Sequence, residues 1–157
     1  MASHFRFPLV AGFLILATTV ACRGLGTPED QAEAASIWEQ IADYRTWEQF
    51  EGHEGIEKSV SVHGNYVRTF VSPNASGRHD DLPYGTIVVK ENMSKNDEST
   101  LQATTVMQRI EGYDPENGDW FWARFKANGE QTHNGKVAFC FDCHFDAGGD
   151  DFIFLND

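Results

Sequence analysis

The period of the apolar positions changes along the chain, and each change marks a different kind of element. From Ala34 the apolar residues recur at Ile37, Trp38, Ile41, Ala42 and Tyr44, the three-and-four spacing of one helix face. Thr27-Pro28-Glu29-Asp30 stands in front of them. Thr27 suits the N-cap, Pro28 the first helical position, and the two acids the positive end of the helix dipole. This helix is expected to end before Gly52. Beyond it the pattern becomes that of strands. Residues 60–71 are rich in β-branched and aromatic side chains, broken at Gly64-Asn65, and segments 84–90 and 102–110 read the same way. Asp114-Pro115 and Asn117-Gly118 signal a turn, after which 119–126 returns as a strand. In that strand Trp120, Trp122 and Arg124 share one face, and Phe121, Ala123 and Phe125 the other. Large apolar groups on both faces predict a strand covered on both sides. Residues 128–135 read as a polar loop, 137–144 as a short helical turn, and 151–155 as a last extended segment. Successive strands joined by turns after a leading helix predict an α+β fold, mainly an antiparallel β-sheet with an N-terminal helix and a short helix near the C-terminus.

The first 21 residues have a different character. A short start carrying Arg6 leads into an apolar run over 8–21 that is too short to span a bilayer comfortably. It reads as a signal peptide, residues 1–21, with an uncleaved anchor helix as the other reading. Cys22 follows directly. Ala21-Cys22 fits the last two positions of a bacterial lipobox, although Thr19 stands where Leu is usual. Acylation at Cys22 would give a lipid anchor, each buried methylene contributing about 0.8 kcal/mol; ordinary cleavage near Ala21 is the alternative. Residues 23–157 then form one domain of ordinary size, with 23–26 as a short tether. The expected location is the periplasm, or outside the cell by export, with or without a membrane anchor.

Charge narrows the partners. The chain carries a formal −12, which becomes about −13 without the signal segment and its Arg6. So acidic a surface argues against nucleic acid and anionic lipid as electrostatic partners.

The most specific chemistry lies near the end. Cys140-Phe141-Asp142-Cys143-His144 is a C-x-x-C-H run, the attachment sequence for a covalently bound c-type haem. Two thiols at this spacing reach the two vinyl groups on one porphyrin edge, and the adjacent imidazole reaches the iron. A redox dithiol or half of a zinc site are the competing readings. Neither is favoured in a chain with an export signal and no second cysteine pair. Thirteen residues follow His144, and none is Met or His. A second axial ligand, if there is one, cannot come from downstream.

Several ordered runs carry a family resemblance. They are Tyr44-Arg-Thr-Trp47, His63-Gly-Asn-Tyr-Val-Arg68, Pro83-Tyr-Gly-Thr-Ile-Val-Val-Lys90-Glu91, Gly112-Tyr-Asp-Pro with Gly118-Asp-Trp-Phe-Trp122, Cys140 to His144, and Asp151-Phe-Ile-Phe154. In this order the chain resembles the cytochrome P-460 family, which includes the cytochromes c′-beta. The resemblance covers nearly all of residues 23–157. It implies an antiparallel-sheet c-haem protein, a homodimer, and a five-coordinate iron held by His144.

The family holds two activities. Its P-460 members oxidise hydroxylamine with nitric oxide as co-substrate or product, pass electrons to an accepting cytochrome, and carry a lysine bonded to the porphyrin. The matching residue here is Lys90. A carboxylate shortly after the haem histidine takes up protons, and Asp146 stands at about that place, an Asp where Glu is expected. Asp142, Asp150 and Asp151 are nearby alternatives. The c′-beta members lack the cross-link and bind nitric oxide or carbon monoxide without catalysis.

Weaker candidates complete the set. Arg68, Arg109 and Arg124 are candidates to pair with haem propionates or to steady His144, as against ordinary ion pairs. Phe50, Phe70, Phe121 and Phe125 are candidates for the distal wall, as against sheet core. Met93, Met107, His63 and His133 are candidates for a sixth ligand, which would make the protein an electron carrier.

Overall fold

The computed structural model describes residues 24–147 and 151–155. The signal segment, Cys22 and Asp150 lie outside the described residues. Helix α1 spans Pro28–Gln40, and its start follows the sequence closely. The Thr27 hydroxyl accepts from the Asp30 N–H at 3.1 Å, and the Asp30 carboxylate accepts from the Thr27 N–H at 2.9 Å, a reciprocal capping box. Ala34, Ile37 and Ile41 are buried as the stripe requires, whereas Ala42 is exposed because the helix has already ended.

Six antiparallel strands follow as a meander in sequence order. They are β1 (Glu57–Lys58), β2 (Tyr66–Val71), β3 (Ile87–Met93), β4 (Leu101–Arg109), β5 (Trp120–Lys126) and β6 (Gln131–Gly135). Helix α2, Ala138–His144, comes after β6. The architecture is the α+β class that the sequence predicts.

Strand alternation sorts side chains onto two faces, and both faces are covered. On one, α1 lays Ile37 and Ile41 against Phe70, Val89, Phe121 and Phe125. On the other, Val88, Met107, Trp120 and Trp122 pack beneath Phe141 of α2 and the terminal residues Phe152 and Ile153. Strand β5 therefore has Phe121, Ala123 and Phe125 on the α1 face, with Trp120 and Trp122 on the α2 face, as read from the sequence.

Four segments differ from expectation. Residues 60–65 form a turn rather than a strand, and Val60 and Val62 are 101% and 73% exposed; β-branching without a partner strand does not make a ladder. Strand β3 starts later and runs on to Met93, because Glu91 and Asn92, which read as a strand end, are buried in it. The polar segment 128–135 contributes β6, an edge strand whose Asn134 side chain binds the Gly26 N–H at 2.8 Å. Residues 151–155 cross the α2 face without pairing into the sheet.

Glu91 explains how a carboxylate fits inside the sheet. It has no exposed surface. One oxygen accepts from Tyr44 Oη at 2.6 Å and Arg45 Nε at 2.8 Å, the other from Arg68 Nε at 2.8 Å. Arg68 also reaches Glu98 at 3.0 Å. Burial and the Glu91 acceptor push the Tyr44 hydroxyl up to about 12, so it stays a donor. This cluster ties the α1–β1 connection to β2 and β3.

Two predictions follow from these contacts. Glu91→Ala takes the acceptor from Tyr44 and Arg45 and leaves Arg68 only Glu98, and is expected to lower unfolding stability by about 1.5–3 kcal/mol, read from denaturant midpoints. Asp30 supplies a pH dependence. Burial pushes its carboxyl up, but bonds from Tyr113, the Thr27 N–H and the Thr27 hydroxyl, with the Lys136 charge, outweigh that and leave it below its ordinary value. A folded-state value below the unfolded one gives stability that is full above the ordinary carboxylate range and fades as pH falls through the folded value. Asp30→Asn is expected to remove that part of the acid-side slope in stability measured against pH.

Candidate haem site

Helix α2 brings the three residues of the attachment run together. Positions i, i+3 and i+4 fall on one side of a helix, so Cys140, Cys143 and His144 face the same way. All three line one recess between α2, the sheet and the terminal segment. The sheet contributes Val88, Lys90, Thr105, Met107 and Trp122. Phe139, Ile153 and Phe154 add apolar wall, and the 59–65 turn adds Val62 and His63.

His144 is held in one tautomer. Its Nδ1 lies 2.6 Å from the Phe152 carbonyl oxygen. A carbonyl only accepts, so Nδ1 carries the proton and Nε2 keeps its lone pair, the arrangement of a metal-ligating histidine. The ring is buried, with the Trp122 ring centre 4.7 Å and the Phe154 ring centre 5.6 Å away. Burial lowers its pKa, the bond to Phe152 opposes that, and the Lys90 charge adds to the lowering.

The Cys140 thiol is in its protonated form. Burial, with Cys143 close by, pushes Cys140 up to about 11 despite the Arg124 charge. A redox dithiol needs a lowered thiol pKa, so this environment disfavours that reading. Among the described residues no cluster of three His, Cys, Asp or Glu side chains is placed to hold a metal ion, as a zinc site would need. The donors do fit a c-type haem: two thiols to add across vinyl groups, one imidazole lone pair for iron, and an apolar lining for the macrocycle.

Lys90 lies on the recess wall. It is 9% exposed, and its Nζ donates to the Phe154 carbonyl at 2.9 Å. Burial pulls its pKa down to about 8, against the Glu57 charge, so roughly a tenth of the amine is neutral at pH 7, far more than for an ordinary lysine. The other candidates fall in different places. Asp146 sits in the 3₁₀ turn Phe145–Ala147, exposed and off the recess wall. Asp142 is exposed as well. Asp151 is buried and engaged: one oxygen accepts from Arg109 Nη1 at 2.8 Å and the other from the Leu82 N–H at 2.9 Å.

Arg68 lies away from the recess. Alternation along β2 points it to the α1 face, away from Lys90, where it binds Glu91 and Glu98. Arg109 holds Asp151 and packs on the rings of Tyr84 and Trp120. Arg124 lies near enough to bias Cys140, His63 and His133 electrostatically, and its Nη1 donates to Thr132 Oγ1 at 3.4 Å. Phe50, Phe70, Phe121 and Phe125 are all sheet core; the recess phenylalanines are Phe139 and Phe154. Met93 is fully buried away from the recess and His133 is on edge strand β6, whereas Met107 and His63 line it.

His63 comes to the wall from the 59–65 turn. Its Nδ1 is 3.3 Å from Thr105 Oγ1, and its ring centre is 6.0 Å from that of His144. Burial, with the charges of Lys90, His144 and Arg124 adding to it, pulls its pKa down to about 3, so the ring is neutral. The even spacing of Val88 and Lys90, and the shared face of Thr105 and Met107, were legible as alternation. The Phe152 and Phe154 carbonyls carry no sequence signal, since every residue has one.

Asp151→Ala is expected to free the terminal segment. Lost charge-assisted bonds to Arg109 and the Leu82 N–H amount to about 1.5–3 kcal/mol each. The expected outcome is a lower unfolding midpoint and faster hydrogen exchange at residues 152–155, with α1 unaffected.

The sequence model of the family described as Cytochrome P460 matches residues 41–155, which takes in every strand, α2 and the terminal segment. No curated protein matches the chain.

Proposed function

Because the chain belongs to the cytochrome P460 family and is thereby a c-type haem protein, we propose that it is an exported enzyme that oxidises hydroxylamine in the periplasm. Cys140 and Cys143 fasten the haem, and His144 Nε2 is its protein ligand. The haem supplies a redox-active iron at which a small nitrogenous molecule binds. Hydroxylamine and nitric oxide together give nitrous oxide and water, releasing a proton and an electron. An electron-accepting cytochrome takes the electron. The exposed Phe139 and Phe145 beside the recess suit contact with that partner or with the second subunit of a homodimer. If Cys22 is acylated, the enzyme works at a membrane surface.

The observation that carries this reading is the Lys90 amine on the recess wall, buried and with its pKa lowered. A neutral amine is the nucleophilic form, and Lys90 is the residue that matches the lysine bonded to the porphyrin in the hydroxylamine-oxidising members. Asp146 lies off the recess, so it has no part in this version of the chemistry. A second reading rests on the apolar wall of Val88, Met107, Phe139, Ile153 and Phe154: the recess suits nitric oxide or carbon monoxide, bound without turnover.

Lys90 separates the two. Peptide mapping of purified holoprotein is expected to find the Lys90 peptide joined to haem, with hydroxylamine-dependent reduction of an acceptor. Lys90→Met is expected to lower that reduction at least tenfold. An unmodified Lys90 peptide with no reduction would favour the gas-binding reading.

A further inference from the structure

Phe152 holds a backbone conformation that a phenylalanine rarely takes. Its φ is 56°, in the left-handed region, where a Cβ crowds the following carbonyl. The turn aims the Phe152 carbonyl oxygen at His144 Nδ1, 2.6 Å away. Strain of this kind persists only where the surroundings impose it, and it gathers at functional sites. One residue upstream, Asp151 accepts from Arg109 Nη1 at 2.8 Å and from the Leu82 N–H at 2.9 Å. Arg109 is fixed in turn: it also donates to the Leu82 carbonyl and lies 5.3 Å from the Tyr84 ring centre and 5.9 Å from that of Trp120. The Phe152 ring packs on Phe141 and Phe145. Ring contacts hold a side chain without fixing where its carbonyl points. The charge-assisted bonds of Asp151 are the directional part of the clamp.

We propose that Asp151 and Arg109 are positioning residues for the iron ligand: through the strained turn at Phe152 they keep its carbonyl on His144 and so hold down the reduction potential of the haem. This rests on haem attachment at Cys140 and Cys143, and not on hydroxylamine as the substrate. An imidazole that donates a short bond from Nδ1 is a more basic ligand at Nε2. A more basic ligand favours the ferric over the ferrous state, and hydrogen bonding behind the ligand is one of the protein's levers on a haem potential. Freed from Asp151, Phe152 relaxes to negative φ and its carbonyl swings off Nδ1. His144 is then a weaker donor, and the ferrous state gains. In the enzyme proposed above, a low potential favours passing the electron on to the acceptor.

The test is spectroelectrochemical titration of matured holoprotein, with the iron–histidine stretching band of the reduced form as a second readout. Asp151→Ala is expected to raise the potential by about 59 mV or more, a tenfold shift of a one-electron equilibrium, and to lower the iron–histidine frequency. Arg109→Lys keeps the charge and loses the planar fork, and is expected to move both readouts part of the way. Phe152→Gly loses the ring but takes the left-handed turn without strain and keeps the clamp. It is expected to retain the wild-type potential and band. Unchanged readouts in Asp151→Ala overturn the proposal; if that variant does not mature, unchanged readouts in Arg109→Lys do so. A shift in Phe152→Gly as large as that in Asp151→Ala also overturns it, because ring packing would then be the determinant. The expected shifts in a protein that does not turn over hydroxylamine support the clamp and overturn the proposed function. A wild type without haem absorbance overturns both.

Discussion

Two backbone carbonyls, those of Phe152 and Phe154, orient the nitrogen groups of the recess, and one ion pair orients the carbonyls. Asp151 bonds both Arg109 on β4 and the Leu82 N–H. That fixes where the terminal segment crosses the sheet. Three residues of chain beyond the clamp then set the His144 tautomer and the Lys90 amine position. The segment needs no ladder of its own, because its apolar side chains pack on Trp120, Trp122 and α2. A site built this way carries Cys140, Cys143 and His144 on a helix only seven residues long and orients His144 and Lys90 from the terminal segment clamped to the sheet.

The same sheet keeps two chemistries apart. Lys90 and Glu91 are adjacent on β3 and both are buried, but alternation sends them to opposite faces. Glu91 meets two arginines and a tyrosine and stays within a satisfied ion cluster. Lys90 meets one carbonyl and an apolar recess, so its charge is costly and its pKa falls. A buried amine lacking a full counter-charge is poor structural material, and such groups concentrate where chemistry is done.

Much of this was legible in the residues. The N-cap at Thr27, the two-faced strand around Trp122 and the C-x-x-C-H helix follow from local patterns, and the structure has all three. What was not legible depended on long-range pairing. Segment 128–135 looks like a loop because an edge strand under a helix needs no apolar stripe. Arg68 looks like a propionate partner until its register opposite Glu91 puts it on the other face. His63 reads as one of four candidates to approach the iron, with nothing to rank it above Met93, Met107 or His133. Only the fold, by bringing the 59–65 turn over β4, sets it beside His144 across 42 residues from its partner Thr105.

The central claim is that the recess holds a haem joined through Cys140 and Cys143. Intact-mass spectrometry of the exported, matured protein under denaturing conditions tests it most directly. The account predicts a mass greater than that of the processed polypeptide by one haem, with the Soret colour retained on the 140–144 peptide after digestion. A matured polypeptide of apo mass, colourless and with both thiols free to alkylation, would contradict it.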